Sequence, residues 1–167
     1  MLLGQTVWPN PPGFLSAVDM VRFFWWGALS ASATPAVNDL TAAAGALMDS
    51  QLLPIQQLYQ KPVHISAAYY SARGAATQCL KRSDGQCHSF EDFGPGSPDI
   101  AIYPLDLPAQ ADLYTAMLTA INGRGWVAGF SAYGYNPVTA LRDKSVSVRG
   151  KPAEAVLSAL YPRLLGK

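Results

Sequence analysis

Asp106-Leu-Pro-Ala-Gln110-Ala-Asp-Leu-Tyr114, then Gly125-Trp126-Val-Ala-Gly129-Phe-Ser-Ala-Tyr133-Gly-Tyr135, then Arg149-Gly150-Lys151-Pro152-Ala153-Glu154: the order of these three phrases decides the fold. Asp106 is a helix N-cap with Pro108 in the first turn behind it. Ala109, Leu113, Ala116, Met117, Ala120 and Ile121 recur at helical spacing, and Asn122-Gly123 closes the run. Trp126–Tyr133 is short, apolar and bounded by glycines, which suits a buried strand. Pro152 opens a last helix whose stripe is Ala153, Val156, Leu157, Leu160 and Leu164. Helix, strand, turn and helix in that order predict a parallel α/β unit.

Working outward, the same unit recurs upstream. Val21–Leu29 is apolar except for Arg22, as a strand buried on both faces would be. Residues 36–60 predict a helix with Leu40, Ala43, Ala44, Leu47 and Met48 on one side, interrupted near Leu53 by Pro54. Val63–Tyr70 predicts a second strand. Residues 71–105 form a long polar connection, a length that is uncommon in a compact domain unless the segment is functional or disordered. Residues 1–17 read as an irregular lead-in with a short helix near Leu15–Val18, and 136–149 as a loop with an extended piece at Ser145–Val148. The expectation is one α/β domain over 1–167, with three to four parallel strands and flanking helices.

Composition narrows the function. Half of the 167 residues are hydrophobic, net charge is +1, and no basic run exceeds Lys81-Arg82, which argues against nucleic acid as a partner. No stretch reaches the roughly 18–20 consecutive apolar residues that a membrane helix needs. The N-terminus lacks the basic start of a signal peptide, so a soluble chain without one is expected and its compartment stays open. Cys79 and Cys87 bracket a short polar loop; a disulfide in an oxidising compartment and two thiols in a reducing one are both open. A zinc site from these cysteines and His88 would lack a Cys-x-x-Cys pair, so no metal or cofactor is expected.

With these segments in place, residues 18–162 resemble the closing part of a retaining (β/α)8-barrel glycoside hydrolase of the β-mannanase and cellulase type. The resemblance is carried by the Gln110 helix, the Trp126 strand and the Gly150-Lys151-Pro152-Ala153 turn. It implies a partial (β/α)8 barrel made of the last three strands, with a saccharide bound at their C-terminal ends, from a family often secreted. It places substrate-facing aromatics at Phe24, Trp25 and Trp26, at Tyr69 and Tyr70, and at Tyr133 and Tyr135, where the family has a Trp. Neighbours in a strand point to opposite faces, so one of Trp25 and Trp26 is core; Tyr69 and Tyr70 face the same choice.

The middle strand departs from the family. Its pattern there is Pro-Val, two apolar residues, Thr-Glu, then Gly-Tyr and Ser, with the Glu as nucleophile. This chain reads Pro62-Val63-His64-Ile65-Ser66-Ala67-Ala68-Tyr69-Tyr70-Ser71, which puts Ala67 in the place of the Glu. The family's acid/base carboxylate lies on a strand earlier than any here. Retaining hydrolysis needs two carboxyl groups about 5 Å apart, so the inherited mechanism predicts no activity.

Glu91 and Asp92, on the long connection, are the candidate catalytic pair; two ordinary solvated carboxylates are the alternative. Glu154 is expected to face solvent, and His64 to be a core histidine. Gly129-x-Ser131-x-x-Gly134 does not have the spacing of a nucleophile elbow. The expectation is a glycoside hydrolase-like protein acting on β-linked saccharides through a carboxylate pair it did not inherit. The alternative is a non-catalytic carbohydrate-binding or decayed barrel fragment. A partial barrel would also leave two open sheet edges and an uncovered face bearing Phe23, Phe24, Trp25, Trp26 and Phe130. A homodimer or higher homo-oligomer is therefore expected.

Overall fold

Three strands make one parallel sheet in the order β1-β2-β3: β1 Val21–Trp25, β2 Val63–Ala67 and β3 Val127–Ala132. The computed structural model describes residues 12–89, 91–94, 97–137 and 143–165. Most of the lead-in, at 1–11, lies outside the described residues; its described part holds a 3-10 turn at Gly13–Ala17. All three strands are shorter than the apolar runs that predict them. The ladder ends at Trp25 and Ala67, yet Ala68, Tyr69, Tyr70 and Leu29 remain buried beyond it. Burial extends past pairing, and hydrophobicity reports burial.

The helices follow the sequence closely. α1 (Val37–Leu47) passes through a π-helical stretch, Met48–Leu52, into α2 (Leu53–Tyr59), so Pro54 sits in the first turn of a new helix. α3 (Leu107–Asn122) is capped by the Asp106 carboxylate, which accepts from the Ala109 N–H at 3.0 Å. α4 is Pro152–Leu165. Residues 145–148 are buried, but they form no strand.

A parallel sheet in sequential order, with crossovers of one hand, carries its helices on one side. Alternation therefore gives the sheet two unlike faces. Phe23, Trp25, Val63, Ile65 and Val127 are buried on the helix side, and Phe130 meets Tyr114 of α3 edge-on at 6.2 Å and Tyr161 of α4 at a tilt at 6.4 Å between ring centres. The register Arg22↔His64↔Gly129 and Phe24↔Ser66↔Ser131 sets the other face. There the Arg22 guanidinium donates to Ser66 Oγ and Ser131 Oγ, both at 3.1 Å. His64 packs so closely over Gly129 that a Cβ there would lie 2.7 Å from the imidazole.

This corrects the expectation of an uncovered apolar face. Phe23 and Trp25 belong to the core, and the open face is polar through its first half. It turns aromatic only towards the C-terminal ends of the strands, where Phe24 meets Tyr133 at 4.9 Å.

Candidate functional site

The C-terminal ends of the strands carry two aromatic groups, and the first is built on the long connection. Trp26, half-buried just past β1, meets Tyr70 edge-on at 5.0 Å. Tyr70 meets Phe93 at 4.5 Å, and Phe93 meets the His88 ring at 5.2 Å. Tyr103 closes the row against His88 at 5.8 Å. The row gives the connection a core of its own, so its described part is ordered by packing. A Cys79–Cys87 disulfide settles the cysteine alternatives in favour of the bond and removes both thiolates as metal ligands. Inside the loop it closes, Lys81 bridges Cys87, and just beyond the loop the His88 N–H donates back to Leu80 O at 2.8 Å.

The candidate carboxylates sit on a 3-10 turn, Glu91–Phe93, anchored by the buried Phe93. Asp92 Oδ2 accepts from the Ser89 N–H at 2.9 Å and from His88 Nδ1 at 3.0 Å. The backbone bond first, and the imidazole second, hold the Asp92 carboxyl below the usual carboxylate range. Glu91 is exposed beside it. Burial, and then the charges of Asp92 and Glu91, push the Tyr70 phenol up, so the Trp26–Tyr70 pair and the two carboxylates share one electrostatic neighbourhood.

The second group lies past β3. Tyr135 is exposed, with the Arg149 guanidinium carbon 5.6 Å from its ring centre. Its hydroxyl donates to Glu154 Oε1 at 3.0 Å, while Glu154 Oε2 accepts from the Gly150 N–H at 2.7 Å. That backbone bond, with the tyrosine, lowers the Glu154 pKa, and the carboxylate in turn raises that of Tyr135. Glu154 thus closes the start of α4 and is half-buried, where the sequence predicts a solvent-facing side chain.

The expected platform residues therefore divide. Trp25, Tyr69 and Tyr70 are 3%, 0% and 0% exposed and present no ring face to solvent in this chain. Trp26 is half-buried, while Tyr133 and Tyr135 are 48% and 61% exposed. Ala67 is fully buried at the end of β2, where its carbonyl accepts from the Tyr114 hydroxyl and the Tyr133 N–H. His64 is half-buried, and desolvation, followed by Arg22, lowers its pKa.

Sequence reasoning missed a sealed polar network. Lys151 Nζ donates to Ser71 Oγ (2.7 Å), Asp143 Oδ1 (2.8 Å) and Ser145 O (3.0 Å). Gln110 Nε2 donates to Tyr69 O at 2.7 Å nearby. These bonds tie the segment that follows β2, the 143–148 segment and the start of α4 together behind the strand ends. Among the described residues no group of three or more His, Cys, Asp or Glu is placed to hold a metal ion, and no helix is long and apolar enough to cross a membrane.

A parallel sheet backed by helices on one face, with aromatic strand ends and long C-terminal connections, has close counterparts among solved structures. A GH113 β-1,4-mannanase in complex form matches with a TM-score of 0.57 and 24% identity, over 90% of this chain and 41% of that one. The fold is that of part of a (β/α)8 barrel. The GH113 β-mannanase of Alicyclobacillus acidocaldarius, in complex with ManMIm, matches with a TM-score of 0.53 and 20% identity over the same shares. The chain spans less than half the length of these mannanases. No family model and no curated protein matches the chain.

Proposed function

We propose that this chain is a glycoside hydrolase-like protein that acts on β-linked saccharides through Glu91 and Asp92. The observation that carries the reading is the neighbourhood of Asp92: a carboxylate held ionised by two hydrogen bonds, joined through Phe93 and Tyr70 to the half-buried Trp26. An ionised carboxylate suits the base or nucleophile, and the exposed Glu91 supplies the proton donor. Trp26, Tyr133 and Tyr135 provide apolar faces for sugar rings. Asp92 takes over the work of the strand-end glutamate, whose place Ala67 occupies.

A second reading, saccharide binding without turnover, is favoured by Ala67 itself, which has no group to attack an anomeric carbon. Since the similar solved structures are β-1,4-mannanases, β-1,4-linked mannose is the first substrate class to test. A panel of aryl β-glycosides with the Glu91→Gln/Asp92→Asn double variant separates the readings. Turnover lost in the variant supports the enzyme. No turnover, with retained affinity for oligosaccharides, supports the binding module. We also propose that the chain self-associates through the outer edges of β1 and β3, to which no described strand pairs. Light scattering on the eluted protein reads the mass directly; a monomer at all concentrations would overturn this.

A further inference from the structure

The connection forms an open cavity of about 460 Å3 at its surface, bounded among others by Arg82, Ser83, His88, Asp92, Ser97 and Ile102. Its polar atoms are oriented rather than merely present. Both hydrogen bonds to Asp92 arrive at Oδ2; Oδ1 has no hydrogen-bond partner among the described residues, and the side chain stays about one-third exposed at 32%. An ionised carboxylate only accepts, so the hydrogen between His88 and Asp92 sits on Nδ1. In the neutral ring that leaves Nε2 as an acceptor, and it too has no hydrogen-bond partner among the described residues.

The imidazole is clamped in that orientation. Phe93 and Tyr103 meet it edge-on at 5.2 and 5.8 Å, and its backbone is pinned to Leu80 within the disulfide-closed loop. Arg82 and the Ser83 hydroxyl add donors, the Ser97 hydroxyl already donating to Glu91 O, and the isoleucine side of the cavity is apolar. Two fixed acceptors, several donors and an apolar wall match the hydroxyls and C–H faces of a sugar ring. An anion fits poorly, because Asp92 would repel it.

We propose that this cavity is a saccharide subsite in which His88 Nε2 accepts a hydroxyl of one sugar unit and Arg82 donates to it, which leaves Asp92 Oδ1 free beside that unit for the chemistry proposed above. The inference rests on the saccharide reading above, and adds the place and the atoms. His88 has a double part: it contacts the ligand through Nε2 and positions Asp92 through Nδ1.

The test is NMR on labelled protein titrated with β-1,4-mannotetraose and with cellotetraose. In the free protein the His88 ring nitrogens should show the Nδ1–H tautomer, and Asp92→Asn should release it. Saturating oligosaccharide should shift the His88 ring and Asp92 carboxyl signals, and His88→Phe and Arg82→Met should each weaken binding at least tenfold. Arg82 is exposed, so its variant keeps the test decisive should the His88 variant fail to fold. Saturable binding that shifts only Tyr133 and Tyr135, and ignores both substitutions, would overturn the subsite and leave the saccharide reading standing. No saturable binding would overturn both. An Nε2–H tautomer would overturn the His88–Asp92 arrangement whatever the ligand does.

Discussion

Two cation–hydroxyl clusters hang on the middle strand and its extension, and they have opposite fates. Arg22 with Ser66 and Ser131 lies on the open face of the sheet, where the guanidinium is exposed. Lys151 with Ser71 is sealed behind the strand end, its side chain 1% exposed, and Asp143 at 2.8 Å completes it. The carboxylate makes the difference. A buried ammonium needs a counter-charge and further acceptors, and Lys151 has all three partners within 3.0 Å. No acidic residue shares the Arg22–His64–Gly129 and Phe24–Ser66–Ser131 register, so Arg22 keeps its water. The helix-backed side is thus closed by chemistry as well as by apolar packing, while the open face is polar by composition.

The sharpest way to break the comparison is to unpair the sealed cluster. Lys151→Met leaves Asp143 buried without its cation, and should cost about 3–5 kcal/mol in urea unfolding. The Lys151→Met/Asp143→Leu double variant should recover much of that, because it buries no lone charge. Ser71→Ala removes one of three acceptors from Lys151 and should cost about 1–2 kcal/mol by the same assay. Arg22→Met should change stability by only about 0.5 kcal/mol, since the guanidinium is already solvated. A large loss there would mean that the open face is covered in solution.

The smallest effect is a pH dependence. Burial and the Arg22 charge depress the folded-state pKa of His64, so the unfolded chain binds the proton more readily. Stability should therefore fall as pH drops below about 6.5, the ordinary histidine value, and level off once the folded state is also protonated. His64→Gln should flatten that limb relative to the parent; an unchanged slope would assign it to another group.

These clusters also show where sequence reading reaches and where it stops. Asp106 and Pro108 announced the start of α3 because capping is local: the carboxylate meets an N–H three residues on. Pro54 marked the break between α1 and α2 for the same reason, and the aromatic strand ends were visible as composition. The turn around Lys151 was legible, but the burial of the lysine was not. In a Gly-Lys-Pro turn it reads as a solvated lysine, while its hydroxyl partner is 80 residues away in sequence. The polarity of the open face was missed because Val21–Leu29 reads as apolar on both sides, and only the register shows that Arg22, His64, Ser66 and Ser131 belong together. Glu91 and Asp92 stood out as rare carboxylates on a long connection. The His88 bond that orients Asp92 depends on how the disulfide-closed loop folds back, which spacing alone did not specify.

The central claim is that the working carboxylate sits on the connection and not at the end of β2. The most direct measurement is the rate of β-1,4-mannooligosaccharide hydrolysis by the parent chain and by Asp92→Asn, at matched folded concentration. The account predicts measurable turnover in the parent and a fall of about 10²–10⁴-fold in the variant. Equal rates in the two proteins, or no turnover in either, would contradict it.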